Sequence, residues 1–566
     1  MMRERRWPLD LLLSLGCVAG LLLLAFLCID FSFDTNDDLG MISILNGSYT
    51  GTPDGHAIFI QYPLGWLIAA LYRTGIQVSW YLVVLLGICL LAMVSVLFRL
   101  LRRLPEHRPL VAAGFLCAVV CLWLFNLLQF TFTTCGAFVA GMTVLAFALQ
   151  TREEDLHPGF LANVLVLLVC SYCIRSFFCY AAVAFLGVVW LGKYAREMFS
   201  KPRCWLIPLA GLICLGASVG IHEFAYRDWD DYTSYNLDRV YLQDYDRFPN
   251  YTEHEAFIQS LGYDYPEYFT IYHYDYGLLE SFGPEVIEEL AAYAKSLQEP
   301  ESLPQTAKRS LKQAVDYYFI DNWEEITPLQ AASYLLPAAL LALSLVLSIR
   351  DRKWYILFSL LLLAAVGCCW LFIGYRGRYP DRIAYSLRIL TVTGSLAGLA
   401  QLFVLRPVRL PRARGAQLVS LALAAVLALT GAAGFWNLRQ SRGGPENQTM
   451  EYLSYIAQYP ENIYIRDTRS TQYDKKLLSE FPNISVNVIA TGSWSAYSPL
   501  YYEKLEAMGL EELSRETLFQ DNVYLIIRNH YDLHEILGVG ESAPVEYDVV
   551  QEFDDGIQIL KIHSIG

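Results

Sequence analysis

Asp34, Asp37 and Asp38 stand within a few residues of one another, directly after the first apolar segment of the chain. Carboxylates at a membrane boundary are commonly retained for use in binding or proton transfer. Arginines form the second chemical group. Arg175 interrupts an apolar stretch, and Arg376, Arg378, Arg382 and Arg388 cluster in and just after Gly374-Tyr375-Arg376-Gly377-Arg378-Tyr379-Pro380-Asp381-Arg382. Guanidinium pairs two-pronged with phosphate, so such a cluster at a membrane face suits the phosphate of a phospholipid or isoprenoid. The competing reading is a belt of arginines neutralised by Asp381 and other acids. Asp54, His56 and the pair His222-Glu223 complete the set. Asp37, Asp38 and Asp54 have the oxygen ligands a divalent ion such as Mg or Mn takes, although nothing in the spacing fixes their separation.

Adjacent side chains on a helix diverge by about 100°, so Asp37 and Asp38 cannot face one substrate in the same way. Thr35-Asn36-Asp37-Asp38 fits a capping box with Thr35 as cap, which gives Asp38 a structural role and leaves Asp37 less explained. Leu39, Ile42 and Leu45 then form an apolar stripe, predicting a short helix lying on the membrane.

The elements that must position these residues are membrane helices. The chain has 566 residues, 55% of them hydrophobic, and a mean hydropathy of +0.33. Its apolar runs of roughly 18–22 residues match the bilayer core. They are continuous rather than alternating, so they read as helices and not barrel strands. The formal charge of −14 argues against a nucleic-acid partner, which needs a basic surface. All 13 cysteines fall in or beside apolar segments and read as small packing residues.

Counting Lys and Arg in short loops sets the orientation. The first span, about 9–30 after the basic N-terminus, is expected to stay uncleaved and to run outward. The span at about 80–101 ends in Arg99, Arg102 and Arg103 and runs inward, which leaves 31–79 as one external loop. Within it, 64–72 is apolar but too short to cross and is predicted to lie at the interface, led by Pro63. Further spans alternate to a total of about eleven, with basic loops at 193–203, 350–353 and 406–414. The expected organisation is an N-terminal transmembrane bundle (1–223), a Tyr- and acid-rich, partly helical insert (224–327), C-terminal transmembrane helices (328–436) and a small α/β domain (437–566). The insert and the tail both fall outside, at the cell membrane's extracytoplasmic face.

Aromatic and acidic residues in the insert suit either carbohydrate or an interfacial cap, and 284–318 has helical spacing. The tail alternates strands (462–466, 486–490, 523–527, 547–553, 557–562) with helices, and Asp554-Asp555-Gly556 is a hairpin turn. No glycine-rich phosphate loop follows any strand. Asn-X-Ser/Thr triplets occur at Asn46, Asn250, Asn447 and Asn483.

With an outward first helix, Asp37-Asp38 beyond it, and Tyr62-Pro63-Leu64-Gly65-Trp66 leading an interfacial helix, the chain resembles the GT-C superfamily of membrane glycosyltransferases. The likeness covers the topology of about residues 1–436 and, residue by residue, the 34–66 loop. It implies inverting transfer of a sugar from a polyprenyl-phosphate donor to an extracytoplasmic acceptor, whether glycan, polymer, lipid or protein. Asp37 would be the base, with Asp38 orienting it or binding metal. Arg175, Arg376, Arg378 and Arg382 would hold phosphate, with His56 and Tyr62 also at the substrate. Membrane lipids are the expected surroundings. The alternatives from other classes are a flippase for a lipid-linked glycan and a non-catalytic envelope assembly protein.

Overall fold

The computed structural model describes residues 7–29, 31–280, 282–298, 301–319, 327–405, 414–441, 451–470, 473–478 and 482–566. The basic N-terminal residues 1–6, the loop 406–413 and the triplet at Asn447 lie outside these. The protein is a helical multi-pass membrane protein with a small α/β unit at its C-terminal end.

Among the described residues, ten helices are long and apolar enough to cross a membrane. They begin with α1 (Trp7–Cys28) and α4 (Trp80–Arg103) and end with Asp381–Leu405 and Gln417–Gln440. Pro158–Ile174 is apolar but only 17 residues long, and with it the alternation of about eleven apolar helices is complete. Between α1 and α4 lie α2 (Asn36–Asn46) and α3 (Tyr62–Tyr72). At 11 residues α3 is too short to span, as its sequence predicted, and Pro63 stands in its first turn.

The bundle is built around Phe132–Leu149, every residue of which is buried. Small residues let its neighbours approach closely, as membrane helices do in the absence of a hydrophobic driving force between them. A Cβ on Gly141 would collide with Thr393 of the Asp381–Leu405 helix.

Contacts sort the helix termini into two ends. One carries acid–base pairs: Asp10 with Arg108 at 2.6 Å, Asp155 with Lys193 at 2.9 Å, and Glu154 with Arg102 and Arg103. At the other end β1 (Ser32–Phe33) pairs in parallel with β2 (Gln129–Phe130), and the 31–79 loop, the insert and the tail all gather there. The Phe33 N–H donates to the Lys475 carbonyl at 2.8 Å, and the Arg378 guanidinium pairs with Asp244 of the insert at 3.0 Å.

The tail is a five-stranded mixed sheet in the order β4-β3-β5-β7-β6, formed by β3 (Ile463–Arg466), β4 (Val488–Ala490), β5 (Val523–Arg528), β6 (Val545–Glu552) and β7 (Ile557–Ile565). The three parallel strands β4, β3 and β5 form one side of the sheet, and β6–β7 is the hairpin turning at Gly556, whose φ of +80° suits glycine. Ligands of open α/β sheets usually sit beyond the strand C-termini. Here the insert fills that place. Asp275, fully buried, accepts from the Thr468 N–H at 2.9 Å and the Thr491 hydroxyl at 2.6 Å, and pairs with Arg469 at 3.1 Å.

The insert is helical through Pro284–Ser296 and Leu303–Phe319. Five of its fifteen tyrosines belong to a buried core. Tyr232, Tyr235, Tyr263, Tyr268 and Tyr276 are buried, and the Tyr235 and Tyr276 hydroxyls meet at 2.7 Å. That packing fits the cap reading of the stretch better than a sugar-stacking surface.

Candidate functional site

Helix α2 does not lie on the membrane as its apolar stripe suggested. Leu39, Gly40, Met41, Ser43, Ile44 and Leu45 are all buried, because both the bundle and the tail close over it. A Cβ on Gly40 would strike the Trp494 indole. Nor does the predicted capping box form. Thr35 makes no side-chain cap bond, and its hydroxyl reaches only the Asp38 carboxylate, at 3.4 Å.

Asp38 instead caps a different helix. It is fully buried. Its Oδ1 accepts from the Tyr81 hydroxyl at 2.6 Å and from the backbone N–H of Phe132 at 3.0 Å, one of the donors a helix start leaves without an intrahelical acceptor. Burial lifts the Asp38 carboxyl to about 7, against the opposing pull of those two donors. The residue therefore ties α2 to α4 and to the central helix, with no face left for a substrate.

Asp37, one position earlier, points elsewhere. Its Oδ2 meets Nη2 of Arg382 at 3.1 Å, and both side chains remain partly exposed. Arg382 stands in the first turn of Asp381–Leu405. Arg175 is the break between Pro158–Ile174 and Ser176–Tyr194. It is an electrostatic neighbour of both Asp37 and Arg382, and its guanidinium lies 5.2 Å from the centre of the Phe132 ring. Gly136 makes this possible, since a Cβ there would stand 2.8 Å from the Arg175 Cβ.

The arginine cluster is thus divided. Arg382 joins Asp37 and Arg175. Arg378 pairs with Asp244, Arg376 donates to the Tyr245 hydroxyl at 3.2 Å, and the buried Arg388 donates to the Tyr317 carbonyl at 2.9 Å. Arg376 and Arg378 therefore have their contacts in the insert, not with Asp37.

His56 and Tyr62 are likewise placed by packing. His56 Nδ1 lies 2.7 Å from Asp54 and its Nε2 3.2 Å from the Ala225 carbonyl. The ring stacks on Trp229 at 5.2 Å and adjoins Tyr62 at 4.8 Å. The Tyr62 N–H donates to His222 Nδ1 at 3.2 Å. In the same segment the backbone of Gly55 packs against Gly65, leaving no room for a Cβ, which accounts for the glycine in Pro63-Leu64-Gly65. Among the described residues no three His, Cys, Asp or Glu side chains gather as they would around a metal ion; Asp54 pairs with His56 instead of joining Asp37 and Asp38.

Sequence reasoning did not find Tyr81, Phe132 or Gly136, which fix Asp38 and Arg175. No local signal marks them, because a tyrosine, a phenylalanine and a glycine in apolar runs are ordinary packing residues.

No protein-family model matches the sequence, and no curated protein does. Among solved structures, the chain is similar to the apo oligosaccharyltransferase of Archaeoglobus fulgidus, with a TM-score of 0.40 and 13% identity over 92% of this chain and 69% of that one.

Proposed function

We propose that the protein is a membrane glycosyltransferase of GT-C type that moves a sugar from a polyprenyl-phosphate donor to a hydroxyl-bearing acceptor at the extracytoplasmic face. The observation that carries this reading is the Asp37–Arg382 pair with Arg175 beside it. A carboxylate and two guanidinium groups from three separate segments, two helix starts and one break between helices, are grouped where one spanning helix has just ended.

In the resting state Arg382 neutralises Asp37. A donor phosphate offers Arg382 and Arg175 a better two-pronged partner, and its arrival releases Asp37. The acceptor oxygen then attacks the anomeric carbon as the carbon–phosphate oxygen bond breaks. The hydroxyl proton passes to Asp37 as general base. The negative charge growing on the leaving phosphate is held by the arginines, and the sugar passes through an oxocarbenium-like state with inversion. Asp38 keeps α2 in place and is a positioning residue. The isoprenoid tail of the donor lies in the bilayer, which gives the bundle its purpose.

The excess of Lys and Arg in the short loops supports a cytoplasmic acid–base end, and with it a site, insert and tail that face outward. The test uses purified protein in lipid nanodiscs with a radiolabelled polyprenyl-phosphate hexose and a panel of glycan, lipid and peptide acceptors. Label should leave the lipid with wild type and not with Asp37→Asn. Lipid crossing leaflets with its sugar bond intact would replace this reading with transport, and no turnover with any acceptor would favour an assembly role.

A further inference from the structure

A second group of cations lies on the other side of α2, with no role in the scheme above. Between α2 and the tail is a cavity of about 40 Å³ whose wall includes Arg466, at the end of β3, and Lys504, on the Pro499–Met508 helix. Both are buried, at 1% and 0% exposure. Arg466 donates from Nη1 to the Asn483 carbonyl at 2.9 Å and from Nη2 to the Tyr473 hydroxyl at 3.0 Å and also neighbours Tyr452, while its Nε–H finds no acceptor among the described residues. Lys504 donates to the Tyr49 and Ser485 carbonyls, each at 2.9 Å. No Asp or Glu lines the cavity, and neither cation forms an ion pair among the described residues. A buried charge without a counter-charge is strongly unfavourable; burial, with Arg466 beside it, pushes the Lys504 ammonium well below its usual range, and an anion in the cavity would restore its charge.

The rest of the lining is suited to what is missing. Ser493 and Ser495 hydroxyls lie 2.7 Å apart, and the Tyr49 hydroxyl is 3.1 Å from Ser495. Hydroxyl hydrogens rotate, so this chain can turn donors inward. Each water-sized group needs about 10–15 Å³, so the cavity holds about three or four. That is the size of a tetrahedral oxyanion and too small for a sugar ring. Guanidinium also matches an oxyanion better than a halide, because its N–H groups are fixed in a fork.

We infer that this cavity is a binding site for a small oxyanion of the phosphate or sulfate class, held by Arg466, Lys504 and the Tyr49, Ser493 and Ser495 hydroxyls. The anion neutralises the two cations and fastens α2 to the tail. Exposed Asn36 lines the mouth, so the oxyanion arrives either as a free ion or as the end group of a larger molecule. The inference does not depend on sugar transfer, since none of these side chains has a part in that scheme.

The test is isothermal titration of the full-length purified protein at constant ionic strength with inorganic phosphate, sulfate and methyl phosphate, with chloride as control. Thermal melting in the same series follows ligand linkage. Saturable binding of phosphate or sulfate, with a rise in Tm that chloride does not reproduce, is the expected result. Ser495→Ala should weaken it about tenfold, as loss of one charge-assisted hydrogen bond does, and Lys504→Met should remove it. Ser495→Ala leaves the buried cations in place and so keeps the test open if Lys504→Met fails to fold. Phosphate bound in preference to methyl phosphate identifies a free ion, and equal binding identifies an end group. Absence of saturable binding by all three, or binding unchanged in Ser495→Ala and a folded Lys504→Met, would overturn the inference.

Discussion

The Asp37 carboxylate meets the Arg382 guanidinium at 3.1 Å, joining the first turn of a short helix near the start of the chain to the first turn of a spanning helix near its end. Neither side chain is enclosed, so each can exchange its partner for a ligand group. Asp38, one residue along, is fully buried and already committed to Tyr81 and Phe132. The pair of aspartates is thereby separated into one partly exposed group paired with Arg382 and one that holds the scaffold.

If Asp37 is the base, Asp37→Asn should lower kcat by about 10²–10⁴-fold, the usual contribution of a positioned proton acceptor. KM for the donor should change little, because the phosphate contacts stay. Steady-state kinetics with a labelled donor checks this, and a variant retaining near-normal kcat would exclude the role.

The division of the arginines predicts unequal effects. Arg382→Gln and Arg175→Gln should each raise donor KM and reduce kcat/KM by about tenfold or more, as expected when a charge-assisted bond to phosphate is lost. Arg376→Gln and Arg378→Gln, which lose contacts to Tyr245 and Asp244, should act mainly on stability. Equal kinetic losses in all four variants would show that the cluster works as one phosphate cradle.

Asp38 makes stability depend on pH in a defined direction. Its folded-state value of about 7 lies above the ordinary 3.8, so between roughly pH 4 and 7 the folded protein holds a proton that the unfolded chain has released. Stability from this residue is therefore greatest at low pH and declines as pH rises through that window. Asp38→Asn, which still accepts from the Phe132 N–H, should flatten the decline. Melting curves of the two proteins between pH 5 and 8 test it, and parallel curves would contradict the assignment.

Gly40 is where α2 touches the tail. Gly40→Ala drives a methyl group into the Trp494 indole and should cost about 1–3 kcal/mol, the usual penalty for overpacking. Because α2 also carries Asp37, activity should fall with stability. Pairing it with Trp494→Leu, which vacates the space, should recover part of both. A Gly40→Ala protein with unchanged Tm would mean that the tail is not pressed against α2.

Much of the architecture was present in the sequence. Apolar run length alone gave the alternation of helices and the failure of the 62–72 segment to span, because the bilayer's thickness is a fixed ruler. Short apolar runs and Asp554-Asp555-Gly556 marked the tail's strands and its hairpin, since these depend only on near neighbours. That two adjacent aspartates diverge came from helix geometry, but the capping box that left Asp37 the less explained of the two does not form. Tertiary structure alone decided their partners. Asp38 is taken up by a tyrosine on α4 and by the first N–H of the central helix, and no local pattern encodes a bond between segments so far apart. The same holds for the arginines. As a sequence cluster they read as one group, but the helix at Asp381 and the insert at Asp244 and Tyr245 draw them to different partners. Charge and hydropathy are properties of single residues and act locally along the chain. Which charge faces which is set only when distant helices pack.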